Sequence, residues 1–227
     1  MKHDREIVEG IFIIGGPNIS HSNDATVFIL DCAGELVMID SGAGNTNERL
    51  VKNMESLGLD PHDLSTLILT HCHIDHIGGA PYFKKNYGCK IFVHDLDADA
   101  IEQGNELLTG ARMYGTVFPP TNVDNRLNGE HGILRFGKEE IHYIHTPGHT
   151  PGSISLYVDR DGKRVLFGQD IHGPFSPNFG SDIQAWKKSM QKLLDIKADI
   201  LCEGHFGIFH PNDRVEDYIK SYLSQYS

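Results

Sequence analysis

Leu67-Ile68-Leu69-Thr70-His71-Cys72-His73-Ile74-Asp75-His76-Ile77-Gly78-Gly79 places four metal-ligand side chains within six residues, directly after an apolar run with the character of a buried strand. Neutral imidazoles and carboxylates are the donors that zinc, iron and manganese accept, and a strand end gives them a rigid stem. In extended backbone after Thr70, His71 and His73 share one side while Cys72 points to the other. Asp75 and His76 follow where the chain begins to turn, so they address a second position. That spacing fits two metals about 3.5 to 4 Å apart. Gly78 and Gly79 permit close backbone approach, and Pro81 opens a helix. A lone histidine is more often a cap or a core residue. Three of them with an aspartate in so short a run repel one another when protonated, and a cation relieves that.

Three further ligand candidates stand at expected strand ends in the second half of the chain. His149 lies in Thr146-Pro147-Gly148-His149-Thr150-Pro151-Gly152-Ser153, where proline and glycine hold one imidazole in a tight loop. Asp170 ends Gly168-Gln169-Asp170, and its two oxygens can bridge two cations. His205 follows Ile200-Leu201-Cys202-Glu203-Gly204. Together with the first cluster they complete two sets of three to four donors.

Around these motifs strands alternate with helices. Strands are expected over 7–14, 26–30 and 36–39, then a helix from Asn45 or Thr46, with its capping signal, to Gly58. The strand over 64–69 is apolar enough for burial on both faces. A helix over 80–87, a strand over 90–93 and a helix from Asp95 follow. Residues 95–128 are the least regular stretch, rich in glycine and proline yet apolar, and form either an overhang above the metal site or a plain crossover. Strands over 132–136, 140–144, 153–158 and 164–167 come next, with a turn at Asp161-Gly162. A helix over 182–194, a strand over 199–202 and a helix over 213–223 complete the chain. Two halves, about 1–115 and 130–227, share this order without a sequence repeat, and one domain over 1–227 is expected.

Composition bounds the function. With 227 residues, 39% hydrophobic and 22% charged, the chain has the make-up of a globular protein with a substantial core. A net charge of −11 disfavours nucleic acid and anionic membranes as partners. The start Met1-Lys2-His3-Asp4-Arg5-Glu6 lacks a leader's apolar segment, and Cys32, Cys72, Cys89 and Cys202 form no CxxC pair or disulfide framework. A cytoplasmic protein acting on a small molecule is expected; a homo-oligomer is compatible with the sequence.

These motifs resemble the metallo-β-lactamase fold superfamily over essentially the whole chain. Its HxHxDH signature stands here as His71-Cys72-His73-Ile74-Asp75-His76, and its later ligands match His149, Asp170 and His205 in order. The resemblance implies an α/β fold, a four-layer αβ/βα sandwich of two mixed β-sheets with helices on the outer faces. It implies two divalent metal ions, zinc foremost with iron or manganese as alternatives. His71, His73 and His149 would hold the first, Asp75, His76 and His205 the second, and Asp170 would bridge them. Asp40, in Met38-Ile39-Asp40-Ser41-Gly42, matches a family aspartate that orients the ligands from behind, or is a turn residue.

The implied chemistry is hydrolysis by a hydroxide bridging two metals, with Asp75 holding or shuttling the water proton. Thr146-Pro147-Gly148-His149-Thr150 and the Asp75, His76 pair are similar to the glyoxalase II group of thioesterases. The stretch from His205 to Ser227 is too short for the helical extension that carries that group's basic glutathione contacts. A thioester or ester of another small molecule is therefore the expectation. Iron persulfide dioxygenases share most of the ligand set and are the alternative. Quorum-signal lactonases are a further one, although Gly173 stands where they have tyrosine. His172 is expected to face either substrate, as a hydrogen-bond donor, or solvent; Tyr114 and Phe118 are expected as apolar substrate contacts.

Overall fold

The strand that carries the ligand cluster, β5 (Leu64–Ile68), is central in its sheet because its side chains find apolar partners on both faces. This computed structural model describes residues 5–226. Most of the charged start, Met1-Lys2-His3-Asp4, on which the expectation of no leader rests, lies outside the described residues. The first sheet follows chain order: β1 (Glu6–Val8), β2 (Ile11–Gly15), β3 (Val27–Asp31), β4 (Leu36–Ile39), β5, β6 (Lys90–His94) and β7 (Asn125–Leu127). The second contains β8 (His131–Phe136), β9 (Glu139–His145), β10 (Ile154–Arg160), β11 (Lys163–Gln169), β12 (Ile200–Glu203) and β13 (Ile208–Phe209), again neighbours in chain order. Both are mixed: β4 to β7 pair in parallel, as do β11 and β12, and the other pairs are antiparallel.

Side-chain alternation divides the interior into three apolar layers. Val27 and Ile29 of β3 face helices α1 (Asn47–Ser56), α3 (Ala80–Tyr87) and α4 (Asp95–Glu102), while Phe28 and Leu30 point the other way. The middle layer is formed by Phe28, Leu30, Val37 and Ile39 against Ile141, Leu156, Val165 and Phe167 of the second sheet. Beyond it, Leu166 and Leu201 pack under α5 (Ile183–Asp195) and α6 (Asn212–Gln225). Helix, sheet, sheet and helix are thus the four layers expected from the resemblance.

Several local expectations change. The strand over 7–14 is two strands, broken at Gly10, whose φ of +72° suits glycine. Thr46 precedes α1, but its hydroxyl donates to Asp24 Oδ2 at 2.6 Å instead of capping the helix. The irregular stretch over 95–128 contains a 3₁₀ turn at Ala111–Tyr114 and ends in β7. β7 went unread because Asn125 and Arg126 are exposed and carry no alternation. A one-turn helix, α2 (Ile74–Ile77), and the two-residue β13 are also too short for a periodic signal. The Asp161-Gly162 turn joins β10 to β11 as expected, with both residues at positive φ.

Candidate metal centre

Parallel pairing sets the place of the site. Because β4 and β5 run the same way, Asp40 and the 71–76 cluster leave the first sheet at one edge. β11 and β12 do the same for Asp170 and His205 in the second sheet. Cross-links close the seam: Ile154 N–H donates to Thr70 O at 2.8 Å, Thr26 N–H to Gly204 O at 2.7 Å, and Ala25 N–H to Asp75 O at 3.2 Å. A side chain at Gly78 would lie 2.2 Å from the Ala43 backbone, so only glycine lets the ligand loop settle on the turn after β4.

The seven predicted ligands converge. His71, His73, His149 and Asp170 form one group, and Asp75, His76, Asp170 and His205 another; within each, one donor atom per residue lies within 4.8 Å of the others. Asp170 belongs to both. Its Oδ2 is 3.4 Å from His149 Nε2 and 3.9 Å from His71 Nε2. Its Oδ1 is 3.3 Å from both His76 Nε2 and His205 Nε2. Asp75 Oδ2 lies 3.3 Å from His205 Nε2, and His73 Nδ1 faces His149 Nε2 at 2.8 Å. His71 Nε2, His76 Nε2 and Asp170 Oδ1 are buried without a hydrogen-bond partner. Such atoms are costly to desolvate unless something charged meets them, and a cation between the donors would do so.

The two groups differ electrostatically. Burial pushes His71 well below the usual histidine range, His73 to about 3 and His149 to about 4, so these rings are neutral with lone pairs available. Burial also opposes charge on His76 and His205. The neighbouring carboxylates together outweigh it: Asp170, Asp40 and Asp75 raise His76 well above its usual value, and Asp170 and Asp75 raise His205 to about 10. Burial alone would raise Asp170, but His76 and His205 hold its carboxyl well below the usual range. Where no cation is bound, the raised His76 and His205 offset part of the charge of the carboxylates around them.

Asp40 is fully buried, with a φ of +58°. Its Oδ1 accepts from Thr70 N–H at 2.8 Å, and its Oδ2 from the Thr70 hydroxyl at 2.8 Å and His76 Nδ1 at 2.7 Å. It meets His76 from the ring nitrogen opposite the one that faces Asp170. His172 lines the cleft, and its Nδ1 lies 2.8 Å from Glu203 Oε1. Tyr114 also lines the cleft, with its hydroxyl towards Asp75. Residues 109–114 thus overhang the centre. Phe118 is a correction: it is fully buried in the outer core of the first sheet and does not line the cleft, because the chain returns to that core to anchor the overhang.

Two residues that the sequence reading passed over hold the ligand loops. Asp97, on α4 and buried, accepts from Cys72 N–H at 2.9 Å, the Thr150 hydroxyl at 2.7 Å and Gly152 N–H at 2.7 Å. It clamps the loop between His71 and His73 to the loop of His149. Glu203 accepts from His205 N–H at 2.6 Å, Phe206 N–H at 2.8 Å and His172. No motif marks a single acid on a helix or strand; only the proximity of Glu203 to His205 was a signal. Cys72 and Cys202, like Cys32 and Cys89, are buried free thiols.

Comparison with known proteins agrees with this geometry. Residues 24–205 match the family model of the metallo-beta-lactamase superfamily. The chain is 32% identical over 133 residues to the hydroxyacylglutathione hydrolase GloC of Haemophilus influenzae, covering 56% of this chain and 58% of that protein. It is 26% identical over 244 residues to the acyl-coenzyme A thioesterase MBLAC2 of Gallus gallus, covering 95% and 84%. A solved metallo-beta-lactamase from Cronobacter sakazakii superposes with a TM-score of 0.82 at 20% identity, covering 97% of this chain and 94% of that one. Motif, two-sheet architecture and family match coincide over the same residues, and the chain belongs to the metallo-beta-lactamase superfamily.

Proposed function

We propose that this chain is a hydrolase that binds two divalent cations, zinc before iron or manganese, and cleaves the ester or thioester of a small molecule. The observation that carries this reading is Asp170, whose two oxygens face two different groups of imidazoles. His71, His73 and His149 with Asp170 would hold one cation; Asp75, His76 and His205 with Asp170 would hold the other. When bound, such a pair supplies Lewis acidity that lowers the pKa of water and polarises a carbonyl.

The chain's own groups do the rest. Asp40 fixes Nδ1 of His76, which aims Nε2 at the Asp170 side of the centre. Asp75, 6% exposed at the cleft wall, is the carboxylate placed to hold or pass on a proton. His172 donates from Nδ1 to Glu203, which leaves the Nε2 lone pair to accept a hydrogen bond from substrate. The names of GloC and MBLAC2 support thioester or ester chemistry for this chain.

Metal content by emission spectroscopy, run beside anaerobic hydrolysis of a thioester and ester panel, tests the reading. Near two equivalents of metal and chelator-sensitive cleavage are expected. One equivalent of iron with oxygen uptake on a thiol persulfide would replace it with the dioxygenase reading.

A further inference from the structure

Beyond its metal ligands, the cleft has Thr109, His172 and the Tyr114 hydroxyl as polar groups, and the rest of its lining is apolar. It encloses about 250 Å³. Met113 and Tyr114 form one wall, Pro174 and Phe179 another, and among the described residues neither lysine nor arginine lines it. The 3₁₀ turn that presents Met113 and Tyr114 lies between Gly110 and Gly115, at φ of +67° and +63°, and is anchored by Ala111, which is buried in the outer core of the first sheet. Met113 is 75% exposed, and Leu107 and Val117 on the same segment are also exposed. Phe206, 58% exposed and directly after His205, packs its ring 4.7 Å from that of His172. Most of the large exposed apolar side chains of the described residues therefore gather on this segment and beside His205. Scattered exposed apolar residues need no explanation, but a group of them continuous with a reactive cleft does.

We infer that the Met113–Tyr114 segment is an acyl-recognition element and that the substrate is an ester or thioester with an uncharged, apolar acyl group. This inference rests on the hydrolase reading above. An acyl chain whose carbonyl sits at the metal ligands would run out between Met113 and the Pro174, Phe179 wall, removing apolar surface from water on both sides. An anionic group held within the cleft would meet no lysine or arginine among its lining residues and would enter a protein of net charge −11. A charged acyl end is thus rejected by the lack of a partner as well as by the field.

The test uses the metal-loaded protein and 4-nitrophenyl acetate, butyrate, hexanoate and hemisuccinate. kcat/KM should rise roughly fourfold per added methylene up to hexanoate. The hemisuccinate should fall at least tenfold below the butyrate. Met113→Glu, at a position exposed enough to tolerate the change, should lower the hexanoate rate more than the acetate rate. Calorimetric binding of N-butylhexanamide and N-butylsuccinamate, inert counterparts of the two acyl types, gives a readout independent of turnover, and the uncharged amide should bind more tightly. Flat chain-length dependence, or equal handling of butyrate and hemisuccinate, would overturn the inference and leave the hydrolase reading standing. If no ester or thioester is cleaved, the hydrolase reading falls. The substrate part of the inference falls with it, and the Met113–Tyr114 segment as a recognition element for apolar groups stands only if the uncharged amide is the tighter ligand.

Discussion

Asp97 touches neither cleft nor ligand ring, yet it holds two ligand loops at once through Cys72, Thr150 and Gly152. Asp97→Ala leaves the buried N–H groups of Cys72 and Gly152 unpaired and should cost about 3 kcal/mol of stability in denaturant unfolding. Metal affinity should weaken with it. Asp97→Asn, which keeps an acceptor, should lose less. The opposite electrostatics of the two ligand groups make a second expectation. His73 and His149 are neutral down to about 3 and 4, whereas His205 holds its proton up to about 10. A cation entering the Asp75, His76, His205 group must displace protons from raised histidines, so its apparent affinity falls as pH falls. A cation in the His71, His73, His149 group competes with none near neutrality. Dialysis against a pH series should therefore empty one position first, with metal content passing from two equivalents towards one before the second is lost. Simultaneous loss would contradict the assignment.

At the scale of elements, the site is a property of strand ends. Asp40 and Gln169 stand after β4 and at the end of β11 with φ of +58° and +50°. Both are L residues in the left-handed region, so the turns that deliver Asp40 and Asp170 store backbone strain that the surrounding hydrogen bonds must hold. The loop of His149 is held from outside by α5. Asp182 caps that helix by accepting from Gln184 and Ala185 N–H at 2.8 and 3.0 Å, and its own N–H donates to Gly148 O. Asp182→Ala should cost about 1 kcal/mol by thermal unfolding. Gly148→Ala should be far worse, because its Cβ would fall 2.3 Å from that of Trp186. The ligands themselves were legible because they stand in short motifs beside apolar runs. α2, β7 and β13 were not, being too short to show a period, and β7 is polar as well.

Over the whole molecule, what sequence could not supply was the meeting of distant segments. Residue 97 reaches residues 72 and 150, and residue 203 reaches residue 172, through pairings that no local pattern announces. Phe118 shows the converse error: an aromatic residue near an overhang reads as a substrate contact until the path of the chain buries it. The layer order was accessible only through the resemblance, since alternation gives a strand its two faces but not its neighbours. A protein of net charge −11 with seven donors in one seam should also be stabilised by cations that bind only its folded form. Chelation should lower its melting temperature by roughly 10 °C. The central claim is that Asp170 stands between two cations. Anomalous diffraction at the zinc edge from crystals grown with zinc tests it most directly. Two peaks are expected, one on each side of the Asp170 carboxylate and about 3.5 to 4 Å apart. A single peak, or peaks away from His71, His76 and Asp170, would contradict it.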